Sequence, residues 1–144
     1  VIDDGRQLNT TSQVSNSPIS EKTARTLTDM LSHTLEEEAS TALVEGYRIS
    51  GKTGTAQIPI PGGYEDVLTN ASFVGWGPSD DPKFMVYVWL QKPTVSPWGS
   101  VVAAPVFRQV AERVVVHMNI PPDKIRLSLD GDATDEVSLA GSGR

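Results

Sequence analysis

The residues best equipped for chemistry lie together at Lys52-Thr53-Gly54-Thr55. An ammonium, two hydroxyls and a glycine in a row suit the capture of an anion beside an extended peptide. The cation neutralises the charge and the hydroxyls donate hydrogen bonds. The glycine has no side chain, so a second backbone can lie against it. The longer run Gly46-Tyr47-Arg48-Ile49-Ser50-Gly51-Lys52-Thr53 also matches the phosphate-loop pattern G-x-x-x-x-G-K-[ST] letter for letter. That loop needs a strand before its first glycine and a helix starting at the Lys-Thr, so that backbone N–H groups and the helix dipole face the phosphates. Here Tyr47-Arg48-Ile49-Ser50 favours a strand within the run itself. Gly54, Pro59 and Pro61 then block a helix after it. Nucleotide binding is the outlying reading, and for Lys52-Thr53-Gly54 taken alone a surface strand with an exposed lysine outweighs a strand that presents Lys52, Thr53, Gly54 and Thr55 to an anionic substrate.

The flanking sequence predicts the elements that hold this strand. Ser20 is an N-cap candidate with Glu21 in the first turn. Ala24, Leu27, Leu31 and Leu35, with Met30 beside them, recur at helical spacing, predicting a helix over 20–38. A strand is expected from Tyr47 into the Lys-Thr-Gly run. Pro59, Pro61, Gly62 and Gly63 predict a loop over 58–69. Ala71 to Gly77 and Lys83 to Lys92, separated by Pro78-Ser79-Asp80-Asp81-Pro82, predict an antiparallel hairpin. A second helix is expected over 101–118, with Pro105 near its start and Phe107, Val110, Ala111, Val114 and Met118 on one face. Residues 1–18 read as an extended lead-in. The expected fold class is α+β, an antiparallel sheet flanked by helices. Residues 1–122 form its folded part, and 123–144 read as an acidic, flexible tail.

Composition bounds the function. A chain of 144 residues with 38% hydrophobic content suits one domain or a piece of a larger one. The net charge of −6 disfavours a nucleic-acid partner. With no cysteine, thiol catalysis, disulfides and zinc–thiolate sites are excluded. No apolar run is long enough to span a bilayer. The opening Val1-Ile2-Asp3-Asp4-Gly5 is neither a leader nor a start methionine, which predicts a piece of a longer chain.

The K-T-G triad is one of three sequence elements of serine β-lactamases and penicillin-binding proteins. Four segments in order extend the likeness. They are Ser17 to Ala24, Gly46 to Gln57, Ala71 to Pro78 with Asp80-Asp81-Pro82-Lys83, and Ala103 to Phe107 with Asn119-Ile120-Pro121-Pro122. Together they resemble the class B (monofunctional) penicillin-binding proteins, the division or elongation transpeptidases of bacterial cell-wall synthesis. The resemblance implies the C-terminal portion of the penicillin-binding and serine β-lactamase-like fold. It implies acyl transfer from a D-Ala-D-Ala stem peptide through an acyl-serine, with β-lactams acylating the same serine. Lys52 and Thr55 are then the catalytic candidates, and Lys52, Thr53, Gly54 and Thr55 the substrate-binding ones. The N–H of Thr55 completes the oxyanion hole, and no cofactor or metal is implied. The resemblance places the site on the extracytoplasmic face of the membrane, anchored by a segment absent from this chain. The partners implied are stem peptides, β-lactams, an upstream part of the same polypeptide and other wall-synthesis proteins. A β-lactam sensor or β-lactamase-like domain shares the K-T-G strand and is the alternative.

One departure is large. The family also needs S-x-x-K and S-x-N. The residues three before Lys22, Lys52, Lys83, Lys92 and Lys124 are Ile19, Ile49, Asp80, Trp89 and Pro121. Those two before Asn9, Asn16, Asn70 and Asn119 are Gln7, Val14, Leu68 and His117. Neither element is present, so the chain is expected to start after both and to be inactive alone. Other residues have blander readings. His33 and His117 suit packing or solvent-facing roles, and Ser72 is a strand residue. Trp76 and Trp89 are expected in the core, while Trp98 and Tyr64 could border a cleft. Asp130, Asp132 and Asp135 lack the glycine and distal Glu of a calcium loop.

Overall fold

A computed structural model of the chain describes residues 2–3, 6–7 and 16–128. Strands β1 (Ile2–Asp3) and β2 (Arg6–Gln7) pair antiparallel. Helix α1 (Glu21–Glu38) follows, then a short 3-10 turn (Ser40–Ala42). Three strands come next, β3 (Ser50–Ile60), β4 (Gly63–Gly77) and β5 (Phe84–Gln91), in the order β3-β4-β5, each antiparallel to its neighbour. Helices α2 (Gly99–Val102) and α3 (Ala104–His117) close the order, and residues 123–128 form one further helical segment. The α+β class holds, with the sheet flanked by helices.

Ser20 caps α1 as its chemistry predicts, accepting the Thr23 N–H at 3.2 Å. The buried stripe of the helix is turned from the expected one. Ser32 and Leu35 are buried, whereas Leu27 and Met30 are 45% and 61% exposed. Leucine spacing alone did not reveal that a serine lies under the contact.

The expected loop over 58–69 is instead the middle of a long hairpin. Proline is tolerated on an edge strand or at a bulge, and β3 is both an edge strand and irregular between Gln57 and Pro59. Pro61-Gly62 then makes the turn, with Gly62 at φ +94°, the sign a type II turn needs at that place.

The core lies between α3 and one face of the sheet. Phe73 on β4 meets Phe107 on α3 with ring centroids 4.8 Å apart and tilted by 49°. Leu35, Ile49, Ala103, Ala104 and Ala111 join them. The rings reach the sheet because Gly75 has no side chain. A Cβ there would stand 2.6 Å from Cζ of Phe107. On β5 the alternation puts Phe84, Val86, Val88 and Leu90 against this core. Met85, Tyr87 and Trp89 take the opposite face and are exposed. Trp89 is therefore not a core residue, and Trp76, which pairs with Met85, is half-buried on the same outer face. With a period of two, the face is set by register, and register was not readable from one strand.

Candidate active site

Lys52, Thr53, Gly54 and Thr55 lie consecutively in β3, opposite Val74, Phe73, Ser72 and Ala71 of β4. Among the described residues β3 has a strand on one side only, so its other side presents unpaired main-chain groups. The phosphate-loop geometry is not met. The Lys-Thr pair sits inside an antiparallel strand, not at a helix N-terminus.

The side chains of this stretch are exposed or half-buried. The Lys52 ammonium lies 3.4 Å from Oγ1 of Thr53 and 3.5 Å from a carboxylate oxygen of Glu38, at the end of α1. Both ends of that ion pair are more than half exposed, so water screens it and the cation stays reachable. Thr55 is tied to the start of α2, where its Oγ1 accepts the Gly99 N–H at 3.3 Å.

Two glycines make this arrangement possible by close approach. A Cβ on Gly54 would lie 2.5 Å from Oγ of Ser72. A Cβ on Gly99 would lie 2.4 Å from the Ser72 carbonyl oxygen and 2.7 Å from that of Gly54. The start of α2 is thus pressed directly against the backbone of the Lys-Thr-Gly run.

An open cleft of about 540 Å³ adjoins Thr55, lined by Thr55, Gln57, Thr69, Pro97 and Trp98. Its size falls in the range of small-molecule sites, about 300–1,000 Å³. Trp98, 59% exposed, borders it as expected from sequence. Tyr64, 66% exposed, stands near the hairpin tip and does not line it. Glu38, Thr69 and Gly99 were missed in the sequence. They come from three different elements, and no local spacing joins them to Lys52.

The remaining candidates stay apart. His33 Nδ1 lies 2.9 Å from the Asp29 carbonyl oxygen within α1, and His117 ends α3. Ser72 is a half-buried β4 residue. Among the described residues no cluster of His, Cys, Asp and Glu could hold a metal ion. Asp130, Asp132 and Asp135 lie outside the described residues, as do residues 129–144 altogether. No helix among the described residues is long and apolar enough to cross a membrane.

Comparison with known proteins fits this geometry. Residues 2–112 match the family model of the penicillin binding protein transpeptidase domain. The chain is 37% identical over 109 residues to stage V sporulation protein D of Bacillus subtilis, covering 74% of this chain and 17% of that protein. Among solved structures, it is similar to the transpeptidase domain of Burkholderia pseudomallei penicillin-binding protein 3. The TM-score is 0.65 at 34% identity, over 71% of this chain and 32% of that one. It is also similar to Mycobacterium tuberculosis penicillin-binding protein 3 complexed with ampicillin, with TM-score 0.64 at 31% identity over 72% of this chain and 26% of that one.

Proposed function

The chain belongs to the transpeptidase family of class B penicillin-binding proteins and is related to its division-type members, and from that premise we propose that it supplies the carboxylate-binding wall of a D,D-transpeptidase site. The single observation that carries this reading is the position of Lys52-Thr53-Gly54-Thr55 on the free edge of β3. A stem peptide ending in D-Ala-D-Ala lies along that edge. Lys52, Thr53 and Thr55 hold its terminal carboxylate, and Gly54 lets its backbone approach. The Thr55 N–H supplies part of the oxyanion hole, where one lost donor costs about 3–4 kcal/mol of transition-state stabilisation.

The nucleophile comes from elsewhere. Neither S-x-x-K nor S-x-N occurs in the sequence, and the chain spans less than a fifth of the length of the sporulation protein. A serine on another segment of the same polypeptide attacks the penultimate carbonyl, its proton passes to a base of that segment and on to the departing nitrogen, and D-Ala leaves. An amine of a neighbouring stem then takes the acyl group and releases the serine. A β-lactam enters by the same carboxylate contacts and acylates the same serine. On this reading the domain works on the extracytoplasmic side of the membrane, anchored by a segment outside this chain.

Fluorescent penicillin tests the reading. Residues 1–144 alone should give no covalent adduct, and the serine-bearing polypeptide should label. Lys52→Ala in that polypeptide should slow labelling about 10²- to 10³-fold, by analogy with removing one preorganised donor. Its thermal stability should stay within about 0.5 kcal/mol, as for other exposed substitutions. Labelling at the wild-type rate without Lys52 contradicts the assignment.

A further inference from the structure

An edge strand is fixed by a ladder on one side only, yet a binding site must hold its groups to within about 0.5 Å. Gly46, Tyr47 and Arg48, one residue short of β3, are held from two sides. The Gly46 carbonyl accepts the Asp123 N–H at 2.9 Å. The Tyr47 hydroxyl donates to the Ile120 carbonyl at 2.7 Å. The Arg48 N–H donates to Oδ2 of Asp123 at 2.6 Å. On the other side of the same residue, the Arg48 carbonyl accepts from the Ser79 N–H at 2.8 Å and from Oγ of Ser79 at 2.9 Å. One clamp therefore comes from the segment after α3 and the other from the β4–β5 connection.

Arg126 joins the two clamps. Its guanidinium forks onto the Asp80 carboxylate, Nη2 to Oδ1 at 2.7 Å with Nη1 on the second oxygen, and Nη2 also reaches Oδ1 of Asp123 at 2.8 Å. Asp80 is the neighbour of Ser79, and Asp123 is the residue that holds Arg48. The Arg126 side chain is only 12% exposed, and its Nε has no hydrogen-bond partner. A largely buried guanidinium with an unpaired N–H is a weak stabiliser. Its geometry is that of a spacer between two fixed points.

We propose that Asp123 and Arg126 are positioning residues for the K-T-G strand, setting the place of Lys52 through the Arg48 peptide group four residues ahead of it. The catalytic consequence rests on the transpeptidase reading above, while the structural consequence does not. Asp123 supplies the acceptor for Arg48, and Arg126 holds that acceptor at a fixed distance from the Ser79 clamp. Lys52 to Thr55 are thereby aligned along an edge that, among the described residues, no further strand holds.

The test uses the full-length protein that carries these residues, with Asp123→Ala, Asp123→Asn and Arg126→Ala. Hydrogen–deuterium exchange is read in peptides covering 47–55 and, as control, 107–117. Penicillin acylation rates are read in parallel. D123A and R126A should speed exchange in 47–55 about tenfold and leave 107–117 unchanged. Acylation should slow by a similar factor. D123N keeps an oxygen for the Arg48 N–H and should recover most of both. If the alanine variants fail to fold, D123N against Arg126→Gln carries the same comparison, with loosening of 47–55 expected only in R126Q. Unchanged exchange in 47–55 overturns the proposal. So does faster exchange that rises equally in 107–117, or D123N behaving as D123A does. If exchange responds as expected while even the wild-type protein takes up no penicillin, the transpeptidase reading fails and the positioning role stands.

Discussion

The outer edge of β3 and the buried face of the sheet beside it are built to opposite rules. The edge carries Lys52 and Thr55 in the open, with no strand beyond it among the described residues. The buried face packs Phe73 against Phe107, both 0% exposed, with Gly75 cut back to admit the rings. One strand's width separates residues that hold the fold from the residues proposed to meet a ligand. The contrast teaches that stability and chemistry are assigned here to different side chains, so most substitutions should disturb one and spare the other.

The largest effect should come from Phe107→Ala. It removes a fully buried ring from the centre of the core, which typically costs about 3–5 kcal/mol. Chemical denaturation should show that loss. If F107A lowers stability by well under 1 kcal/mol, the division between core and edge is misplaced.

Gly99→Ala should break the separation, because Gly99 belongs to both regions. A Cβ there meets the backbone oxygens of Ser72 and Gly54 at 2.4 Å and 2.7 Å, and neither can swing away as a side chain can. Overpacking of this kind costs about 1–3 kcal/mol. The shift also displaces Gly54, so penicillin acylation should fall beyond what the stability loss explains. Normal acylation in a destabilised G99A protein would show that the edge moves independently of α2.

A smaller effect sharpens the contrast at its third member, the clamp behind the strand. The Asp80 carboxyl is held below its ordinary range, first by the Arg126 hydrogen bonds, against the opposing pull of partial burial, and with help from the Arg126 and Arg48 charges. A depressed folded-state pKa stabilises the fold fully above the ordinary carboxylate value, about 3.9. That contribution is lost as pH falls through the lower folded value. Asp123 and Arg126 face Asp80 from residues 123–128, and Arg48 faces it from the approach to β3. Wild type should therefore be more stable than Asp80→Asn at pH 6, with the gap closing toward pH 2. A gap independent of pH would remove the ionic role of Asp80.

Much of this division was legible in the residues, and the failures have physical causes. The cap at Ser20, the β4–β5 hairpin and Pro105 at the start of α3 are local signals, and local signals survive folding. Pro59 and Pro61 were misleading because an edge strand and a turn accommodate what a central strand cannot. Trp89 was misplaced because the inward face of β5 is decided by pairing with β4. The Lys-Thr-Gly-Thr run stood out by residue type, but its place on a strand with one neighbour among the described residues came only with the strand order. The contact of Gly99 with Gly54 and the link from Arg126 to Asp80 join residues 45 and 46 positions apart. No periodicity in the chain encodes them.

The central claim is that residues 1–144 hold the substrate while another segment attacks it. Proteolytic mapping of the penicillin adduct in the full-length protein tests this most directly. The acylated peptide should carry a serine outside residues 1–144. An adduct on Ser50, Ser72, Ser79 or any other serine within them would contradict it.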